Sequence, residues 1–217
     1  MKLYKCDKSI IRFYPQGATF LKGYTTNVME APKNAFVDLQ GKILVVFDQF
    51  KKSEEEVWVV LETKFVERLM AHLEKYLFLT ETKAERLNQN VYQDLESKEL
   101  ILSDEKLSAD ATEEEFTLFR VKNRLPLQGV DFDEEMILNL PAGQAGVGNE
   151  EFVSYTKGCY LGQEIVARVH YRSKPPKKLV VKKESDCGPE ERKRMTSRVT
   201  DPATGQGMGF VFTENKA

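Results

Sequence analysis

Cysteine, histidine and net charge are all in short supply in this chain, and each shortage closes off a class of function. The three cysteines, Cys6, Cys159 and Cys187, are odd in number, far apart and never arranged as Cys-x-x-Cys, so neither a disulfide framework nor a self-contained zinc site is indicated. They also fall short of the four thiolates that usually hold an iron–sulfur cluster. With only His72 and His170, a histidine-based metal centre would need carboxylate help, and no stably bound metal is expected. No apolar run approaches the roughly 18 residues of a membrane-spanning helix. Met1 to Phe13 is broken by Lys2, Lys5, Asp7, Lys8 and Arg12, which leaves no apolar stretch for a secretion signal. A cytoplasmic location and no membrane partner are the expectations. The 32 Lys and Arg against 34 Asp and Glu leave a net charge of -2, so direct nucleic-acid binding is not expected and any anionic partner needs a local patch.

What is present is an ordinary globular composition, 41% hydrophobic and 30% charged over 217 residues, enough for two or three small domains. Ser9 to Tyr14 alternates as a strand, and Pro15-Gln16-Gly17 opens a short helix carrying Phe20 and Leu21 that ends by Asn27. Ala35 to Leu39 and Ile43 to Phe47 flank Gln40-Gly41 as a hairpin, and Glu56 to Leu61 reads as a third, buried strand. Thr63 then begins an amphipathic helix with Phe65, Leu69, Leu73 and Leu77 on one face. This order predicts an antiparallel sheet backed by helices, an α+β class. Thr80 to Leu102 reads as a pair of strands opening a second subdomain. Thr112-Glu113-Glu114-Glu115 is a capping box whose helix turns Phe116, Phe119 and Leu125 inward before Pro126 stops it. Domains are placed at 1–79, 80–174 and 175–217, the last a small β unit after Pro175-Pro176 with strands near residues 179–183, 195–199 and 208–212. Cys187, in a polar Gly-Pro turn of that unit, is expected to be exposed and incidental.

The segment that concentrates chemistry is Lys157-Gly158-Cys159-Tyr160-Leu161-Gly162-Gln163-Glu164. Leu161, Ile165 and Val169 recur four apart, which predicts a helix from Leu161 and puts Cys159 in or just before its first turn. There the helix dipole and the Lys157 ammonium would both favour a thiolate. Gly158 would leave the sulfur uncrowded, and Gly162 would let a ligand or partner backbone approach. The alternative at this point is a buried cysteine filling a small apolar hole.

This run, continued by Ile165-Val166-Ala167-Arg168 and then Tyr171-Arg172, resembles the signature of the YgfZ family, the folate-binding-protein-like relatives of the glycine-cleavage T-protein, an aminomethyltransferase. The resemblance implies a factor for iron–sulfur cluster assembly or repair in client enzymes, among them radical enzymes that thiomethylate tRNA. Cys159 would be the reactive thiol or transient ligand and Lys157 its partner. Gly158, Tyr160, Gly162 and Gln163 would shape a central cleft with Cys159 at its mouth, and Glu164 and Arg168 would pair along the helix. The implied fold is a T-protein-like set of sheet-plus-helix subdomains around that cleft, with an abbreviated C-terminal β domain.

Two further stretches are similar to the same superfamily. Ala18-x-Phe20-Leu21-x-Gly23-x-x-Thr26-Asn27 and Val37-Asp38-Leu39-Gln40-Gly41-Lys42-Ile43-Leu44 match its N-terminal patterns, with Lys22 where glutamine is usual. Arg120, Pro126 and Asp131 match a third. Tetrahydrofolate is therefore the implied cofactor, with Arg120, Lys122 and Asp131 as the implied folate-binding residues. Departures count against T-protein chemistry, the second reading of function. Val45 and Val46 stand where the transferases carry an acidic pair, Lys122 stands where their pterin-binding glutamate falls, and Asp48 is out of register. A thiol-redox enzyme is a third reading, with Cys6 or Cys187 reaching Cys159 in space. Residues 142–150 are expected to cover one side of the cleft. Ile165 to Lys183 contains no acid but Arg168, Arg172, Lys174, Lys177, Lys178, Lys182 and Lys183, a field that would draw a polyanion or an acidic client surface.

Overall fold

Alternating and helical periodicities resolve into eleven strands and five helices in the structure, a computed structural model that describes residues 1–141 and 151–214. The expected cover at 142–150 lies outside the described residues. In chain order the elements are β1 (Leu3–Cys6), β2 (Lys8–Tyr14), α1 (Gly17–Lys22), β3 (Lys33–Val37), β4 (Ile43–Lys51), β5 (Val57–Glu62), α2 (Val66–Phe78), β6 (Lys83–Leu87), β7 (Asn90–Asp94), β8 (Leu100–Ser103), α3 (Glu113–Lys122), α4 (Gln163–Arg172), β9 (Lys177–Lys183), α5 (Pro189–Arg194), β10 (Thr196–Asp201) and β11 (Gln206–Glu214). All strand pairs are antiparallel. They form a five-stranded sheet in the order β3-β4-β5-β2-β6 and two three-stranded sheets, β1-β7-β8 and β10-β11-β9. The α+β class read from the sequence is the class of the structure. Among the described residues no helix is long and apolar enough to cross a membrane.

The five-stranded sheet separates two cores because successive side chains on a strand point to opposite faces. On β2, Ile11 and Phe13 join the layer under α1 and α2, where Leu69 and Leu73 are fully buried, while Ile10 faces the β1-β7-β8 sheet and α3. A third core gathers Ala35, Val37 and Ile43 of the β3–β4 hairpin with Val166 of α4 and Leu179 and Phe210 of the C-terminal sheet. The capping box is formed as expected: the Glu115 N–H donates to Thr112 Oγ1 at 3.2 Å and the Thr112 N–H to the Glu115 carboxylate at 3.0 Å.

Several readings of local structure are corrected by tertiary contacts. The stretch read as two strands holds three, and they part company. β6 adds to the edge of the first sheet beside β2, pairing Leu87 with Ile10, so that sheet runs past residue 79, while β7 pairs with β1. Cys187 is buried, not exposed: the short turn Glu184–Asp186 folds it inward, and its thiol donates to the Lys183 carbonyl at 3.3 Å.

Candidate functional site

Thr25, Thr26 and Asn27, just past α1, form a clasp whose rigidity comes from a buried polar cluster. Asn34 sits at its centre, its amide donating to Asn27 O at 3.0 Å and to the Gln49 side chain at 3.1 Å. The approach to the cysteine segment is laid across this clasp. Thr26 Oγ1 donates to Phe152 O at 2.5 Å, Asn27 Nδ2 to Glu151 O at 3.0 Å and the Ser154 N–H to Thr26 O at 2.9 Å. Lys157 completes it, donating from Nζ to Asn27 O at 2.9 Å and to Thr25 O. Two stretches more than a hundred residues apart in sequence are thus one piece of structure.

The contacts of the Lys157 ammonium are with carbonyl oxygens and with the Tyr160 ring, 5.1 Å away. Burial, reinforced by Lys22, pulls Lys157 down to about 8 from an ordinary 10.5, and burial pushes the Tyr160 phenol up. The first shift has a definite sign in stability. Above pH 8 the folded chain sheds a proton that the unfolded chain keeps until near 10.5, so the unfolded state binds more protons and stability rises with pH across that window. Urea unfolding at pH 7.5 and pH 10 should therefore show the intact protein gaining on Lys157→Met, by about 1.4 kcal/mol for each pH unit fully inside the window. A difference that stays flat would mean that the ammonium is not desolvated.

Beyond Tyr160 the segment is shaped by backbone contact. The Leu161 N–H donates to Gly23 O at 3.1 Å. Gly162 takes φ +85°, and a side chain there would place Cβ 2.3 Å from the Asp38 carbonyl oxygen. The backbone that needs its bareness is this chain's own β3–β4 hairpin, not a ligand. Gly41 of that turn, at φ +74°, in its turn packs against Val166. Gly162 is also the residue from which α4 starts, so the helix begins at Gln163 rather than Leu161 and buries Val166, with Val169 half-buried beside it. Cys159 consequently stands upstream of the first turn, outside the strongest part of the helix field. It is exposed, whereas Cys6 and Cys187 are buried, and all three are free thiols. A Cβ at Gly158 would meet open space, so that glycine is not there to relieve crowding. Gln163 is half-buried, and Glu164 and Arg168 are exposed and make no ion pair with each other.

The central cleft is a separate feature, a cavity of ≈ 900 Å³ between the five-stranded sheet, β7–β8 and α3. None of residues 157–164 is in its wall, so Cys159 does not stand in it. Phe50, Phe116, Phe119 and Phe152 supply apolar surface, and Val46 and Asp48 enter from the same face of β4. The Lys8 ammonium lies 2.7 Å from Asp48 and 3.8 Å from Glu62, one cation between two carboxylates. Burial pushes the Glu62 carboxyl up, against the pull of Lys8. Beside them Cys6 is raised by burial to about 12, the inert state of an enclosed thiol.

Of the three residues implied for folate, only Arg120 reaches the cavity. Its guanidinium pairs with buried Asp131 at 2.8 Å and donates to Ser197 Oγ at 2.9 Å, and its Nε is buried without a partner. Asp131 also accepts from the Leu127 N–H and from the hydroxyls of Thr196 and Ser197, which ties α3 to β10. Lys122 turns away to Asp201 at 2.9 Å. Sequence reasoning missed Glu62 and set Asp48 aside as out of register, though the two-residue period of β4 puts Asp48 on the face of Val46. Trp58, one strand over from Phe50, lines a smaller groove with Arg12 and Glu56 rather than the cavity. Among the described residues no group of three His, Cys, Asp or Glu side chains converges as metal ligands would.

This arrangement of sheets and helices has relatives. No family model matches the chain. An uncharacterised protein of Haemophilus influenzae is 26% identical over 159 residues, covering 64% of this chain and 55% of that protein, so the chain spans about half the length of the relative it matches. The glycine cleavage system aminomethyltransferase T of Bartonella henselae superposes with a TM-score of 0.67 at 13% identity, over 97% of this chain and 78% of its own. The chain has the T-protein fold.

Proposed function

We propose that this chain is a YgfZ-like factor supporting the assembly or repair of iron–sulfur clusters in client enzymes such as those that thiomethylate tRNA, with Cys159 as the reactive thiol or transient ligand. The observation that carries the reading is the presentation of Cys159. It is the exposed cysteine of the three, and it sits on a segment clasped at Lys157 and Leu161 to the Thr25–Asn27 region and braced at Gly162 by the hairpin. A fixed, protruding thiol suits transfer to a partner's surface better than chemistry inside an enclosed pocket.

Tetrahydrofolate fits the cavity. The volume of ≈ 900 Å³ is within the span of small-molecule sites, roughly 300–1,000 Å³. The phenylalanines would hold a flat ring system. Arg124 and Lys98 in the wall would face an acidic tail. Such a cofactor supplies a carrier for one-carbon groups when bound. The second reading, a folate-dependent aminomethyl transferase, draws on one observation, the carboxylate of Asp48 in the cavity wall. Against it, that carboxylate is already engaged by the Lys8 ammonium.

One experiment separates the two. Bacteria lacking their own YgfZ are supplied with the intact protein, Cys159→Ala or Asp48→Asn, and thiomethylated tRNA is quantified. The cluster reading expects restoration by the intact protein and by Asp48→Asn, and none by Cys159→Ala. Loss with Asp48→Asn but not with Cys159→Ala would transfer the function to the cavity and to one-carbon chemistry.

A further inference from the structure

We infer that the end of α4 carries a stacking site for single-stranded RNA. The carrying feature is a column of rings that ends at the surface. Tyr155 packs on the third hydrophobic core, and His170 stacks on Tyr155 at 3.6 Å with an interplanar angle of 18°. Tyr171 stands edge-on to the imidazole, 4.7 Å away at 83°, as a side wall, and is 68% exposed. His170 is itself exposed, so the column presents an aromatic face with the spacing of stacked bases, roughly 3.4 Å per nucleotide. A splayed-out base can extend that column, whereas a base inside a duplex is already covered on both faces.

Cations for a phosphate backbone surround it. Arg168, Arg172 and Lys174 are exposed, and among the described residues none of them has a carboxylate partner, although the nearby Lys177 and Lys182 are neutralised by Glu135 and Glu191. Arg168 and Arg172, four apart, share the solvent side of α4 with Tyr171. Glu164 is the single acid on that side. The whole-chain charge of -2 hides this patch, because the compensating acids lie elsewhere. Charge alone would suit any polyanion, including an acidic protein surface, and the open ring column is what favours a nucleic acid. The site is independent of what Cys159 does and would stand if the cluster reading failed.

The test is fluorescence anisotropy with a labelled oligoadenylate of about ten nucleotides at low salt, near about 50 mM. The intact protein is expected to bind it, to bind the same sequence more weakly as a duplex, and to lose affinity as salt rises. His170→Ala and Tyr171→Ala should each weaken binding on the order of tenfold, and Arg168→Gln with Arg172→Gln should flatten the salt dependence. Melting curves check that the variants are folded. Should His170→Ala lose stability, the exposed Tyr171→Ala carries the result. Four outcomes would overturn the inference: no binding by the intact protein, aromatic variants that bind as it does, competition by unlabelled DNA stronger than by RNA, or polyglutamate displacing the probe as well as unlabelled RNA does. The last would make the patch an acceptor for acidic protein surfaces. An unlabelled DNA strand of the same sequence that competes more strongly than RNA would assign the site to DNA instead.

Discussion

Gly162→Ala is expected to destabilise the protein by roughly 3–5 kcal/mol, out of proportion to the one methyl group added. Two costs coincide at this residue. The backbone sits at φ +85°, a region that charges a residue with a Cβ about 1–2 kcal/mol. The new Cβ would also fall 2.3 Å from Asp38 O, and that oxygen cannot yield easily. Asp38 is the pivot of the hairpin turn: its carbonyl accepts from the Gly41 N–H at 3.0 Å and its side chain from the N–H groups of Gln40 and Lys42 at 2.8 and 2.9 Å. Either the start of α4 withdraws from the hairpin or the turn opens. Both move Cys159. Equilibrium urea unfolding reads the stability, and the rate at which a bulky thiol reagent modifies Cys159 reads the displacement. Gly158→Ala is the matched control, since its Cβ would meet nothing within 4 Å, and it should unfold like the intact protein. If the two alanines behave alike, the hairpin contact does not position the segment.

Asp131→Ala should cost a comparable amount, roughly 3–5 kcal/mol, because it leaves the Arg120 guanidinium buried without its counter-charge. Arg120 and Asp131 are 5% and 0% exposed at the side chain, so water cannot replace the lost partner. The same change strips an acceptor from the Leu127 N–H and from the hydroxyls of Thr196 and Ser197. A loss of this size is a large share of a total that is about 5–15 kcal/mol for a typical domain. Replacing both charges, as Arg120→Met with Asp131→Leu, should recover part of it, since a matched apolar pair removes the stranded charge while the N–H and hydroxyls still lack an acceptor. Calorimetric melting of the three variants decides the matter. A double variant no more stable than Asp131→Ala alone would show that the hydrogen bonds to β10, not the charge pair, hold the joint between α3 and the C-terminal sheet. Asp131 matches a superfamily pattern that implies a contact to folate. Its contacts are those of an internal strut.

Where local signals dominate, the sequence could be read directly. Thr112 and Glu115 cap α3 as their spacing requires, and Leu69 and Leu73 of α2 are buried as their four-residue period requires. The turn at Gln40-Gly41 needs the positive φ that glycine supplies. The misreadings share a different cause, pairing at a distance. Leu3–Cys6 is too short and too interrupted by Lys5 to declare itself a strand, and its partner β7 lies far along the chain. The edge strand β6 has mostly exposed side chains, so its place beside β2 is fixed by backbone hydrogen bonds that leave no trace in side-chain pattern. Helix α4 starts two residues late because Asp38, more than a hundred residues upstream, claims the space around Gly162. At the candidate site, the eight-residue signature marks the segment that carries the exposed thiol of Cys159, but says nothing of what holds that segment. The cavity residues Asp48 and Glu62 come from two strands whose pairing sets Asp48 opposite Val60, and Lys8 of a third strand lies between their carboxylates.

The grip of residues 23–41 on residues 151–162 also changes what counts as the heritable unit. An insertion or deletion between Gly23 and Gly41 would shift the carbonyls of Gly23, Thr25, Asn27 and Asp38 on which the cysteine segment rests. It would disturb the same contacts as a change at Lys157 or Gly162 itself. The unit that places Cys159 is therefore two stretches of fixed length held in register, and a chain that keeps the eight residues while altering the spacing of the first stretch has kept the letters and lost the word.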